Sequence, residues 1–415
     1  NLTGTLALQG RGLDLQTATI TGHINLQESR INQQEINSAT LVGQLAGGDL
    51  DYDLRLDLPE GAARLAGDAQ LYARPFTYTV EEGTFTGLNL GALTNTPDLD
   101  TYLTGRIVRL EGRGLDFSQA DLSARVELDE SRINEQAINT AYADLELSRG
   151  ILTYSIALGT PEGESNLAGT ADLRTEPLRY EVSEGNFRNF NLGALLGRAD
   201  LQTDLTGTLT LSGLGFDPRT MSLQAEVVVQ PSIINDAEVT GGDVSLLLQS
   251  GLLDISADLI LPGGRAQLDG MIRPFLEDPE YNVVGTFINV DLADFLGTDT
   301  LQAYINADFE LRGIGLDPET ASMQGRVQAT SSRFEGIDID SLDAVFRLNE
   351  GLLDVSQLIL RSNAADVTAF GELALFGTAG AAASDFTFEA DIKRAQAINS
   401  YLAPFGLAVG NGTLD

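Results

Sequence analysis

Asp49-Leu50-Asp51-Tyr52-Asp53-Leu54-Arg55-Leu56-Asp57-Leu58 is the stretch from which the fold can be read. Every second residue is apolar and every residue between is charged. Successive side chains of a strand point to opposite faces, whereas a helix would scatter this pattern around its circumference. The segment therefore predicts a β-strand with one charged face and one apolar face, the latter formed by Leu50, Tyr52, Leu54 and Leu56.

The same period of two extends in both directions. Upstream, Ala18, Ile20, Gly22, Ile24 and Leu26 alternate with Thr19, Thr21, His23, Asn25 and Gln27. Downstream, the apolar sets are Leu152, Tyr154, Ile156 and Leu158, then Leu253, Ile255, Ala257 and Leu259, then Leu353 and Val355. Short turn signals such as Pro161-Glu162-Gly163 and Leu261-Pro262-Gly263-Gly264 separate neighbouring strands, which favours antiparallel hairpins.

Compared with itself, the chain shows four copies. Gly10-Arg11-Gly12-Leu13-Asp14-Leu15 returns as Gly112-Arg113-Gly114-Leu115-Asp116-Phe117, as Gly213-Leu214-Gly215-Phe216-Asp217-Pro218 and as Gly313-Ile314-Gly315-Leu316-Asp317-Pro318, at steps of 102, 101 and 100 residues. Three further markers keep phase with it. Ser29-Arg30-Ile31-Asn32 is echoed at Ser131, Ser232 and Ser332. A glycine precedes a strand at Gly48, Gly150, Gly251 and Gly351, and another is expected to end a strand at Gly67, Gly169, Gly270 and Gly371. The repeats run 1–100, 101–201, 202–301 and 302–404, with 405–415 opening a fifth. That last piece makes the chain an expected segment of a longer polypeptide, with any membrane anchor outside it. Each copy closes on a short helical turn, at Asn89–Leu93, Asn191–Leu195, Asp291–Leu296 and Ala395–Leu402, acting either as a plug over the sheet or as a plain connector.

Composition narrows the function. Sixty acidic residues face 25 basic ones, a formal charge of −35 that phosphate backbones repel, so nucleic acid is excluded as a partner. The only lysine is Lys393, and no polybasic segment offers a hold on anionic headgroups. Cysteine is absent, which removes disulfides and thiolate metal sites. No apolar run reaches the length of a bilayer-spanning helix.

Catalytic chemistry has no foothold in the sequence. The one histidine, His23, lies on the polar side of an alternating strand. Gly10-x-Gly12 precedes a strand and not a phosphate-cradling helix, so it reads as a turn. Asp49, Asp51 and Asp53 would lie about 6.7 Å apart along one face, too far for a shared calcium shell at about 2.4 Å. Arg30, Arg132 and Arg333 recur, but Ile233 replaces them in the third copy, which favours a structural turn position. No enzyme activity, cofactor or metal is expected.

In its order of elements the chain resembles the AsmA/TamB superfamily of diderm-bacterial envelope proteins. The stretches that carry the resemblance are Gly213–Pro231, Val290–Leu296 and Gly313–Ser332. The resemblance implies an elongated, curved antiparallel sheet, a repeating β-groove or taco-like trough, placed in the periplasm and anchored in the inner membrane by an N-terminal helix outside this chain. It also implies movement of phospholipids toward the outer membrane, and for some members a barrel partner of the BamA type.

A one-faced sheet must cover its apolar side. Acyl chains could do so, since burying a methylene gains about 0.8 kcal/mol whatever the headgroup. Together with what the resemblance implies, this makes the expected function a periplasm-spanning groove conducting phospholipids between the two membranes, lined by the fourteen residues from Leu50 to Val355 named above. Two alternatives remain open: a scaffold or chaperone for outer-membrane protein assembly, which the resemblance also implies, or a packed β-solenoid adhesin or stalk without a conduit, which periodicity alone does not separate from a groove.

Overall fold

Alternation of the Asp49–Leu58 kind becomes strand along nearly the whole chain. The computed structural model describes residues 1–12, 14, 16–31, 34–94, 99–196, 201–293, 303–317, 319–375 and 384–394. It is all-β, 74% strand and 3% helix, with 27 strands among the described residues and antiparallel pairing between them. Leu13, Leu15, Asn32, Asp294–Leu296, Pro318, Ala395–Leu402 and the 405–415 tail lie outside the described residues.

The chain divides into two compact units, Asn1–Gly215 and Phe216–Asp415. In the first, Gly4–Arg11, Thr19–Ile31, Gln34–Ala46, Asp49–Leu58 and Gly61–Gln70 pair in chain order. The next ladder position is shared by Thr77–Val80 and Glu82–Leu88, separated by Glu81, and both pair with Thr101–Arg113. The meander then runs in order to Thr203–Leu214. In the second unit Ser222–Val229 pairs with Gly241–Gln249, and the small hairpin Ser232–Ile234 and Ala237–Val239 lies between them in sequence. Leu252–Leu261 and every later strand to Asp385–Ile392 follow in order.

The tightest hairpins show why glycine recurs where it does. Ser148 pairs with Ile151 across Arg149-Gly150, and Asn349 with Leu352 across Glu350-Gly351. Both loop residues have positive φ, 46° and 81° in the first and 48° and 81° in the second. Two left-handed residues give a turn whose twist matches that of the flanking strands, and glycine at the second position takes it without strain.

The second glycine marker behaves differently from its expectation. Gly67, Gly169, Gly270 and Gly371 do not end strands; they sit inside Gly61–Gln70, Glu164–Asp172, Gly264–Arg273 and Ala365–Ala374. Their role is close approach. A Cβ on Gly67 would lie 2.2 Å from the Thr79 carbonyl oxygen, and one on Gly169 would lie 1.9 Å from that of Glu181.

Two of the short helical turns are described, Leu90–Thr94 and Leu192–Leu196. Asn89 and Asn191 cap them, each accepting from a backbone N–H three residues on, at 3.0 and 2.9 Å. The second is also fastened at its far end. Asn134, from the hairpin after Asp121–Ile133, donates its amide to the Leu195 carbonyl at 2.8 Å.

The enclosed apolar side chains are mostly alanines; Ile138 and Val290 are the only large ones at or below 1% exposure among the described residues. The second unit has one compact cluster of larger groups, Val239, Leu261, Ala266 and Val290, with Leu259 packed against it.

Candidate functional site

Register decides which apolar side chains meet across strands. Leu54 faces Leu65, which faces Gly83, and the row continues through Ile107, Val126 and Ala143 to Ile156. Leu50 reaches Leu152 in the same way, through Ala69, Tyr78, Gly112, Leu122 and Leu147. Leu56 reaches Leu158 through Ala63, Phe85, Gly105, Leu128 and Ala141. These residues of the first unit thus share one face of one ladder.

The second unit repeats the arrangement. Leu253 is joined to Leu353 through Ile272, Tyr281, Gly313, Met323 and Leu348, and Ile255 to Val355 through Gly270, Val283, Leu311, Gly325 and Phe346. Ala257 and Leu259 lie on the same face as Leu253 and Ile255. Leu54, Ile156 and Ile255 are half-buried, neither enclosed as a packed core would make them nor fully exposed.

Two tyrosines on this face, Tyr52 and Tyr154, have their polar ends occupied. Tyr52 lies opposite Gly67 and donates its hydroxyl to the Thr79 carbonyl at 2.8 Å; Tyr154 lies opposite Gly169 and donates to Glu181 at 2.8 Å. Partial burial raises the pKa of both phenols. The face therefore offers smooth apolar surface, with these two hydroxyls already committed to backbone.

The opposite face is laced with ion pairs between neighbouring strands. Asp53 accepts from Arg64 at 2.9 Å and Asp144 from Arg125 at 2.6 Å, and these hydrogen bonds hold both carboxyls below the usual range. Asp49 and Asp51 share this face with Asp53, whose pairing with Arg64 leaves no free carboxylate triplet. Among the described residues no group of three or more His, Asp or Glu side chains could hold a metal ion. His23 is exposed on this face, opposite Val42. Arg132 pairs with Asp100 at 2.8 Å, Arg333 with Asp338 at 3.7 Å, and Arg30 with Glu35.

Two features escaped the sequence reading. In the Ser-Arg-Ile marker the serine is the constrained residue. Ser131 is 4% exposed; its hydroxyl accepts from the Thr104 N–H at 3.0 Å and lies 3.1 Å from the carbonyls of Thr104 and Asp129. Ser29 with Thr3, and Ser332 with Asn306, repeat the staple. A buried serine recurring where the ladder register shifts was the available signal. The second feature is a ring laid over a glycine. Cβ atoms added at Gly112 and Gly213 would fall 2.2 and 2.3 Å from the rings of Tyr78 and Tyr180. The first glycine of the Gly-x-Gly motif thus makes room for an aromatic residue of the preceding strand, while the second takes the positive φ, 77° at both Gly114 and Gly215.

Comparison of the chain with protein-family models, with curated proteins and with solved structures finds no match.

Proposed function

We propose that the apolar face receives phospholipid acyl chains, and that the protein serves as a groove in the periplasm of a diderm envelope through which lipids pass between the inner and outer membranes. The observation that carries this reading is the partial exposure of large apolar side chains such as Leu54, Ile156 and Ile255 along these rows, although Leu147, Leu348 and the expected lining residue Val355 are buried within them. A packed stalk would enclose residues such as Leu54, Ile156 and Ile255, because interiors pack to crystal-like density. Here they keep accessible surface that an acyl chain would cover, at about 0.8 kcal/mol per methylene.

The chemistry of the face suits sliding more than fixed recognition. Tyr52 and Tyr154 spend their hydroxyls on backbone carbonyls, so neither is free to select a headgroup. The ion pairs on the reverse face keep the sheet wetted there. Curvature into a trough, the four-repeat organisation, an inner-membrane anchor and a barrel partner at the outer membrane belong to the same proposal, on the strength of the sequence pattern.

Native mass spectrometry of the gently purified protein tests the reading. Co-purified phospholipid, displaced by a short-chain detergent, is the expected result. A folded protein recovered free of lipid from membrane-containing lysate would refute it.

A further inference from the structure

We infer that the polar face of the second unit carries a binding site for a phosphate-bearing ligand with an apolar portion, centred on Arg312 and Arg347. Both arginines stand opposite Gln324, one from each neighbouring strand. Their backbones are therefore about 10 Å apart, a gap that two guanidinium groups can close around one anion. They line a concavity of about 670 Å³ together with Asn282, Gln324 and the apolar Met271 and Ile314.

The charge state of these arginines sets them apart in a chain of −35. Arg273, at the rim of the same concavity, is neutralised by Glu280 at 2.9 Å, and Arg326 on the next row by Asp343 at 3.3 Å. Arg312 and Arg347 have no carboxylate within 4.0 Å among the described residues, although Glu310 precedes Arg312 on the same face and Asp354 stands opposite Arg347. Arg312 instead donates to the side-chain oxygen of Gln324, once that amide is set in the orientation its neighbours require. Two guanidinium forks suit a multi-oxygen anion such as phosphate, which each can meet with paired N–H donors. Met271 and Ile314, 46% and 50% exposed, supply an apolar flank for the organic part.

A matched place in the first unit isolates the cause. Glu111, Ser123 and Glu146 stand in the same register as Arg312, Gln324 and Arg347, and they line a concavity of about 550 Å³. Two glutamates occupy the positions of the two arginines. Strand geometry is therefore indifferent to charge at these positions, and the arginines are free to serve a ligand.

The full chain is titrated calorimetrically at low salt with inorganic phosphate, with glycerol phosphate and with dihexanoyl phosphatidic acid below its micelle concentration. Saturable binding of at least one phosphate compound is expected. It should weaken about tenfold or more in the double variant Arg312→Glu/Arg347→Glu, as loss of charge-assisted bonds requires. A preference for the short lipid that Met271→Ser abolishes supports the ligand with an apolar portion, whereas equal binding of all three compounds overturns the apolar flank and leaves a site for phosphate alone. The substituted residues are those of the first unit, so unchanged circular dichroism and melting should accompany the loss, and Arg312→Gln/Arg347→Gln provides a milder control. Absence of binding, or binding equal in wild type and both double variants, overturns the inference, since the anion would then sit elsewhere.

Discussion

The Tyr52 hydroxyl donates to the Thr79 carbonyl at 2.8 Å, reaching across the glycine strand between them. That reach is possible only because Gly67 brings the two strands close. Gly67→Ala would set a Cβ 2.2 Å from the Thr79 oxygen, against backbone that cannot rotate away. Overpacking of this kind costs about 2–3 kcal/mol. Tyr52→Phe removes one hydrogen bond and should cost about 1 kcal/mol. Urea unfolding of the two variants should rank them in that order, and Gly169→Ala should behave as Gly67→Ala does.

The two phenols give an alkaline signature. Burial raises the pKa of Tyr52 and Tyr154 above the ordinary 10.0. The unfolded chain then ionises first as pH rises, so the stability these groups contribute is whole below about 10 and declines above it. Ultraviolet titration should show part of the tyrosine absorbance change delayed past that of free tyrosine, and Tyr52→Phe/Tyr154→Phe should shrink the delayed part, leaving what Tyr180 and Tyr281, also raised by burial, contribute.

Carboxylates on the polar face act in the opposite direction. Asp172, hydrogen-bonded by the side chain and backbone N–H of Arg174, is lowered from 3.8 to about 2. Its contribution is complete above the unfolded value and is lost as pH falls from about 4 toward 2. Protonation also relieves the general repulsion of an acidic chain, so the comparison must be with a variant. Urea midpoints at pH 5 and pH 2.5 should fall further in wild type than in Arg174→Ala.

Capture of lipid should follow the alternation. A photo-crosslinking side chain at Leu54 or at Ile156, which lie in one cross-strand row, should trap phospholipid in cells. The same group at Asp53 or Ser155, on the reverse face, should not. Equal capture from both faces would remove the argument for a lipid-bearing side.

A single charge distinguishes an open groove from a packed stalk. Ile255→Asp and Ile156→Asp place a carboxylate on the apolar face at half-buried positions. In an open groove the carboxylate reaches water, and melting should shift little while lipid supply to the outer membrane falls. In a packed interior an unpaired carboxylate would cost several kcal/mol and the fold would fail. Thermal melting set beside outer-membrane lipid content separates the two.

Alternation along Asp49–Leu58 is a local property, so the sequence by itself determined that this segment is a strand and which of its side chains share a face. The same holds for Leu152 to Leu158 and Leu253 to Leu259, and for the Arg149-Gly150 and Glu350-Gly351 turns, where two neighbouring residues carry all the geometry. Only the tertiary structure decided which faces meet. Leu54 and Ile156 fall in one row because every intervening turn and register shift adds up to an in-phase ladder, a sum that no window of sequence contains. Gly67 looked like the end of a strand because its need is non-local: the Thr79 carbonyl approaches it from one neighbouring strand and Tyr52 stands opposite it on the other. Ser131 was passed over for Arg132 beside it, since a hydroxyl's value depends on burial against Thr104, a residue of the neighbouring strand. The exchange of Glu111 and Glu146 for Arg312 and Arg347 is visible letter by letter, yet it gains meaning only when pairing sets each couple around one central strand. Side-chain direction follows from the chain's own period of two; the company each side chain keeps follows from hydrogen-bond register, which is settled strand by strand.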